Sequence, residues 1–209
     1  MAKYSVFSGF LHVFLLVEAS VLIDFERKFK TRFLWYTEHD TKVYTRSMAV
    51  EQYHPRRKRN EILDTNEIEL ILTGGKYISL ALCVNDEPYI VSLSYGYDAK
   101  GKCLYFHCAS QGDKLAFIRQ NPRACGTIIL DRGYLMSQCD HDYASLVIRG
   151  TMHEVLELPE KKHGLAVLLE HLEDNPEPIL KRNIADDSSY NGVTILRFDM
   201  ESVIGKKHV

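Results

Sequence analysis

Between Tyr77 and Ala109 the chain lays down three strand-like runs separated by two short polar turns. That spacing leaves few folds open. Residues 77–84 alternate, with Ile78, Leu80, Leu82 and Val84 on one side and Tyr77, Ser79, Ala81 and Cys83 on the other. Residues 85–88 form a turn, 89–97 a second run, 98–102 another turn, and 103–109 a third run. Parallel neighbours need a crossover of about a dozen residues or more, so links this short dictate antiparallel strands. The pattern predicts an antiparallel meander.

The rest of the chain continues in that style. Asp64 to Glu67 signals a helix start, followed by Ile68, Leu70, Ile71 and Leu72 and closed by Gly74-Gly75. Residues 111–121 read as a short helix and 123–131 as a fourth strand. A loop of about a dozen residues comes next, long enough to suspect function. Residues 144–155 read as a fifth strand with a bulge or bend at Gly150. A helix over 159–173 buries Leu165, Val167, Leu168, Leu169 and Leu172; residues 175–179 break the chain; 193–200 form a sixth strand. The fold class is mainly β with peripheral helices, a small antiparallel barrel rather than a parallel α/β sheet. The glycine fingerprints of dinucleotide folds and P-loops are absent, as are the nucleophile elbow and the zincin His pair.

Charge narrows the function classes. A net charge of -2 gives no global electrostatic case for nucleic acid or an anionic membrane, so the basic run Arg56 to Arg59 reads as a solvated leader. Five cysteines with no C-x-x-C pair read as reduced, mostly buried thiols of a cytoplasmic protein. Cys139, His141, His107 and Cys108 match no structural zinc spacing, and no metal is expected. Residues 1–47 differ in composition from the remainder of the chain. Residues 6–23 are almost continuously apolar, broken by His12 and Glu18, and a central glutamate is costly in a bilayer. Three readings stay open for this segment: an extension upstream of a start at Met48, a docking helix, or a membrane anchor. Residues 48–209 read as a complete domain.

The stretch from Leu104 to Leu115 carries the chemistry. A strand ends at a polar, glycine-bearing turn and opens directly into a helix that has Lys114 in its first turn. Free N–H groups and the dipole at a helix start favour an anion, and a nearby cation completes a phosphate site. His107 shares a strand face with Cys103 and Tyr105, just before the turn. Ser110 and Asp113 also have the spacing of a capping box, so a merely capped helix is the competing reading.

Residues 56–206 resemble the FMN-binding split-barrel flavoproteins related to pyridoxamine 5′-phosphate oxidase, most of all the nitroimidazole-resistance (Nim-type) branch. The resemblance rests on Arg56-Arg-Lys, the run from Pro88 to Tyr97, the run from Leu104 to Lys114, Asn121-Pro-Arg, Cys139, the run from Tyr143 to Gly150, and Val203-Ile-Gly-Lys206. It implies a six-stranded Greek-key split β-barrel forming a homodimer with FMN at the interface. Carried over, Ser110, Gln111 and Lys114 hold the phosphate, and Val91, Ser92, Leu93, Ser94 and Tyr95 line the isoalloxazine. His107 is the proton donor beside the flavin, and Tyr143 and Arg149 come from the partner chain.

The resemblance implies an oxidoreductase that takes electrons from NADH or NADPH and reduces a small acceptor such as a 5-nitroimidazole or quinone. The alternative is a non-catalytic FMN, haem or deazaflavin binding protein. Two departures stand out. Asp113 occupies a loop position often neutral or basic in relatives, and the Trp-, Arg- and His-rich closing segment of the true vitamin B6 oxidases has no counterpart up to Val209.

Overall fold

The computed structural model describes residues 55–184 and 186–208. The readings of residues 1–47, and the boundary at Met48, lie outside them. After a 3₁₀ turn at Lys58–Asn60, the elements in order are β1 (Glu61–Ile62), α1 (Thr65–Gly74), β2 (Tyr77–Val84), β3 (Glu87–Ser94), β4 (Gly96–Asp98) and β5 (Cys103–Cys108). Then come α2 (Asp113–Gln120), β6 (Arg123–Leu135), β7 (Asp140–Glu154), α3 (Leu158–Leu172), α4 (Glu177–Asn183), a 3₁₀ turn at Asp187–Gly192, and β8 (Thr194–Lys207). Among these, no helix is long and apolar enough to cross a membrane.

One antiparallel sheet of eight strands contains all of them, in the order β3-β2-β6-β7-β8-β5-β4, with β1 paired to β8. β3 and β4 stand at opposite ends of that path, yet only Tyr95 separates them. Laid flat, the six gaps would span about 29 Å at ~4.8 Å each. Two Cα steps reach only about 7.6 Å. The sheet must therefore curl until its ends meet at Tyr95, while no ladder joins β3 to β4 or β5 among the described residues. The barrel is split, and it has eight strands rather than the six expected.

This also revises the meander. Residues 89–97 do keep one alternation, but the run divides at Tyr95. Its first part pairs with β2 over the full register from Tyr77↔Ser94 to Val84↔Glu87, and its last part pairs with β5 from Gly96↔Tyr105 to Asp98↔Cys103. Both expected hairpins exist, and the split lies between them.

Inward residues form the barrel core. Ile78, Leu80 and Leu82 face Leu104, Phe106, Ile128, Leu146 and Phe198 there. A second core lies on the outer face, where Tyr105 and Ile195 are covered by Leu165 and Leu168 of α3. Gly150 marks a register shift of β7 against β8, as the sequence suggested; a Cβ there would lie 1.8 Å from Asp199 O.

Several expectations need correction. The long loop after Asp131 is instead strand: β6 continues past a register shift between Asp131 and Gly133, leaving only a tight turn before Asp140. Ser137 and Cys139 take positive φ in that turn. The break at 175–179 is the start of α4, and β8 runs on to Lys207. The thiols are free, but only Cys103 and Cys108 are buried; Cys83 and Cys139 are exposed.

Candidate functional site

β5 delivers its residues to two environments by simple alternation. Leu104, Phe106 and Cys108 enter the barrel core, while Cys103 and Tyr105 enter the second core under α3. His107 continues that second face and is exposed. It forms one wall of an apolar cavity of about 250 Å³, opposite Leu165, Leu168 and Leu169 of α3, Leu180 of α4, and Val193. The α4 wall escaped the sequence reading because two prolines in residues 175–179 looked like a break, whereas proline in a helix's first turn is well tolerated. Burial pushes the Cys108 thiol up, and its place in the core keeps it away from a ligand on the His107 side.

Past β5 the chain turns at Gly112, whose φ of 132° and ψ of 168° suit only glycine. A Cβ placed there meets nothing within 4 Å, so the backbone faces open space. Gly112 is the N-cap of α2 and no side chain caps that helix, which sets aside the competing capping-box reading. The reason is geometric: the turn at Gly112 delays the helix to Asp113, leaving Ser110 outside it. The N–H groups of Leu115 and Ala116 return to Gly112 O at 3.1 and 3.3 Å. Those ahead of them are left to an outside acceptor. Lys114 sits half-exposed in this first turn, within electrostatic reach of Cys108. Ser110, Gln111 and Asp113 are exposed around it.

β3 runs along the split. Ser92 and Ser94 point outward and are exposed, with Ser92 Oγ 2.9 Å from Ser79 Oγ. Val91 and Leu93 point inward against the barrel core. β3 ladders only with β2, so its other edge presents backbone groups to the split. Ser92, Ser94, His107 and the residues of the loop leading to Lys114 are all exposed. Tyr95 is taken up differently. Its side chain is fully buried, stacks 4.9 Å from the His171 ring, and donates to Leu72 O at 2.8 Å. Burial raises its phenol well above the ordinary range, so it stays protonated.

Tyr143 and Arg149 share the outer face of β7 but lie six residues apart, about 20 Å along a strand. Arg149 belongs to the transverse row Ile90, Ala81, Cys125, Arg149, Ser202. Tyr143 instead borders a basic cavity near the start of the described chain. The chain does not bring these two residues together. Among the described residues, no group of three or more His, Cys, Asp or Glu side chains is placed to hold a metal ion.

The model of the family described as pyridoxamine 5′-phosphate oxidase matches residues 64–207. No curated protein matches the chain. Among solved structures, a candidate 5-nitroimidazole antibiotic resistance protein from Bacteroides thetaiotaomicron is 21% identical with a TM-score of 0.60, over 70% of this chain and 85% of that one. A flavocytochrome from Azotobacter vinelandii is 14% identical with a TM-score of 0.64, over 76% and 73%. An FAD-binding protein from Mesorhizobium loti is 22% identical with a TM-score of 0.52, over 70% and 96%. These likenesses establish a common fold.

Proposed function

We propose a function on one premise: the chain belongs to the pyridoxamine 5′-phosphate oxidase family. In this reading it binds FMN and reduces a small acceptor of the nitroaromatic or quinone kind with electrons from NADH or NADPH. One observation carries it. The start of α2 is uncapped, opens at Gly112 and holds Lys114, a few residues after an exposed His107. Nothing occupies the space a Cβ at Gly112 would take, so a phosphate can approach the backbone there. These residues fit the group.

When bound, the flavin supplies the two-electron redox chemistry. The chain supplies position and protons. First-turn N–H groups and Lys114 hold the phosphate, and Ser110 and Gln111 line its loop. The edge of β3, with Ser92 and Ser94, orients the ring. His107 delivers a proton to the acceptor, as an exposed imidazole N–H can. The cavity beside it, at about 250 Å³, is smaller than the ~300–1,000 Å³ of drug-sized sites and suits a small, largely apolar acceptor. Similarity to the Bacteroides protein supports a nitroimidazole as one such acceptor.

A homodimer completes the reading. Tyr77, Ile90 and Ile129 are 61%, 72% and 50% exposed on the outer face of β2, β3 and β6, large apolar side chains around a Ser79–Ser92–Thr127 row that a second copy would cover. The purified protein should carry a flavin absorbance that NADH or NADPH bleaches and a nitroimidazole restores. Lys114→Ala should lower FMN affinity about tenfold, as expected for a charge-assisted contact worth about 1.4 kcal/mol. A bound flavin that neither nicotinamide reduces would sink the enzymatic reading, and unchanged FMN affinity in Lys114→Ala would sink the phosphate assignment.

A further inference from the structure

α4 turns its apolar side chains toward a space rather than into the core. Ile179 and Leu180 of α4, and Ile184 just past it, line the cavity of about 250 Å³ beside His107, yet no residue of α4 is buried. Leucines of α3 and Val193 complete an aliphatic wall. The polar members of the lining are His107 and Asn183. Both are exposed, so they stand at the mouth, and neither side chain forms a hydrogen bond or ion pair among the described residues. No Asp, Glu, Lys or Arg lines the cavity. The charges of α4 lie outside it: Glu177, Lys181 and Arg182 are exposed, and Lys181 Nζ meets Glu177 Oε1 at 2.7 Å.

This lining selects on charge as well as on size. Protein interiors are close-packed, and an aliphatic cavity offers water too few polar partners to hold it well. Cavities of this kind take up small apolar molecules instead. A charged group entering here would lose its hydration and meet no fixed counter-charge on the aliphatic wall, which costs far more than burying a neutral group. One neutral acceptor atom can stay at the mouth and accept from the Asn183 amide or the His107 ring.

We propose that this cavity binds a small uncharged organic molecule, its apolar body against α3 and α4 and one acceptor atom held at the mouth by Asn183 and His107, and that it rejects the same molecule carrying a carboxylate or phosphate. The proposal deepens the acceptor reading and rests on it for the ligand's role, whereas the charge preference rests on the lining alone. Neutral nitroarenes and quinones are admitted; their carboxylated analogues, and the phosphates of a nicotinamide dinucleotide, stay outside.

The test is calorimetric titration of the purified full chain, with no reductant present, using nitrobenzene and 4-nitrobenzoate, repeated on Leu180→Trp and His107→Gln. Leu180 is half-buried on α4, and an unchanged melting curve confirms that each variant is folded. Nitrobenzene should bind about tenfold or more tightly than 4-nitrobenzoate, a comparison that needs no variant. Leu180→Trp, which fills the cavity, should weaken nitrobenzene about tenfold. His107→Gln should keep the preference for the neutral probe, because the aliphatic wall sets it. Equal affinity for the two probes, no binding of nitrobenzene, a folded Leu180→Trp with wild-type affinity, or a preference lost in His107→Gln overturns the proposal. If nitrobenzene binds with the expected preference but does not restore a flavin bleached by NADH, the acceptor reading fails and the binding site stands. If both probes restore that flavin equally well and bind equally, the acceptor reading stands and the charge selection fails.

Discussion

Replacing Tyr95 with phenylalanine separates architecture from ligand binding. The resemblance puts Tyr95 beside a flavin, whereas its hydroxyl is buried and serves Leu72 O at 2.8 Å. Leu72 lies in the last turn of α1, where carbonyls have no partner within the helix. The tyrosine is therefore the helix's C-terminal acceptor cover. Losing the bond costs about 1 kcal/mol net, and the buried carbonyl left unpaired adds up to about as much again, for a total of about 2 kcal/mol. In a domain of this size that corresponds to a fall of about 4–8 °C in Tm. Calorimetric or circular-dichroism melting measures the fall, and a fluorescence titration measures FMN affinity at a temperature where the variant is folded. The expected result is a lower Tm with FMN affinity within about twofold of wild type. A Tm unchanged within about 1 °C, or an FMN affinity reduced tenfold, refutes the assignment of Tyr95 to the core.

Other substitutions probe neighbouring features. Gly150→Ala would force a Cβ to 1.8 Å from Asp199 O at the β7–β8 register shift; it should cost about 3 kcal/mol or more and be visible as insoluble or early-melting protein. Gly112→Ala meets no steric obstacle, but its φ of 132° should cost about 1–3 kcal/mol, and the distorted loop should weaken FMN binding more than it lowers Tm. His171 provides a pH test. Burial, the largest cause, holds its pKa below the ordinary 6.5, and its Nε2 donates to Gly75 O at 2.6 Å. The unfolded chain then binds a proton that the folded chain resists, so stability should fall as pH drops below 6.5 toward the folded value. His171→Gln should flatten Tm against pH in that window, and a slope identical to wild type would contradict this role.

Much of this was legible from residue order alone. The two-residue alternation of 77–84 placed Ile78, Leu80 and Leu82 in the core, and Asp64 caps α1 through Asn66 N as its position suggested. Lys114 stood out because a cation in a helix's first turn is unfavourable unless an anion offsets it. Other features were not legible. The apparent capping box at Ser110 failed because a single φ at Gly112 moved the helix start, and spacing does not encode φ. Pro176 and Pro178 read as a break because proline ends helices and also begins them. The basic cavity was invisible because its wall combines Asn60 with Lys206, which are remote in sequence.

Sequence by itself determined an antiparallel, mainly β protein with a polar strand-to-helix turn, since side-chain period, turn length and glycine placement are all local properties. Tertiary structure decided where the barrel splits. Residues 89–97 alternate without a visible interruption, yet the strand leaves β2 and joins β5 at Tyr95. That transfer depends on how far the other strands curl the sheet around the core, a quantity that no local pattern records.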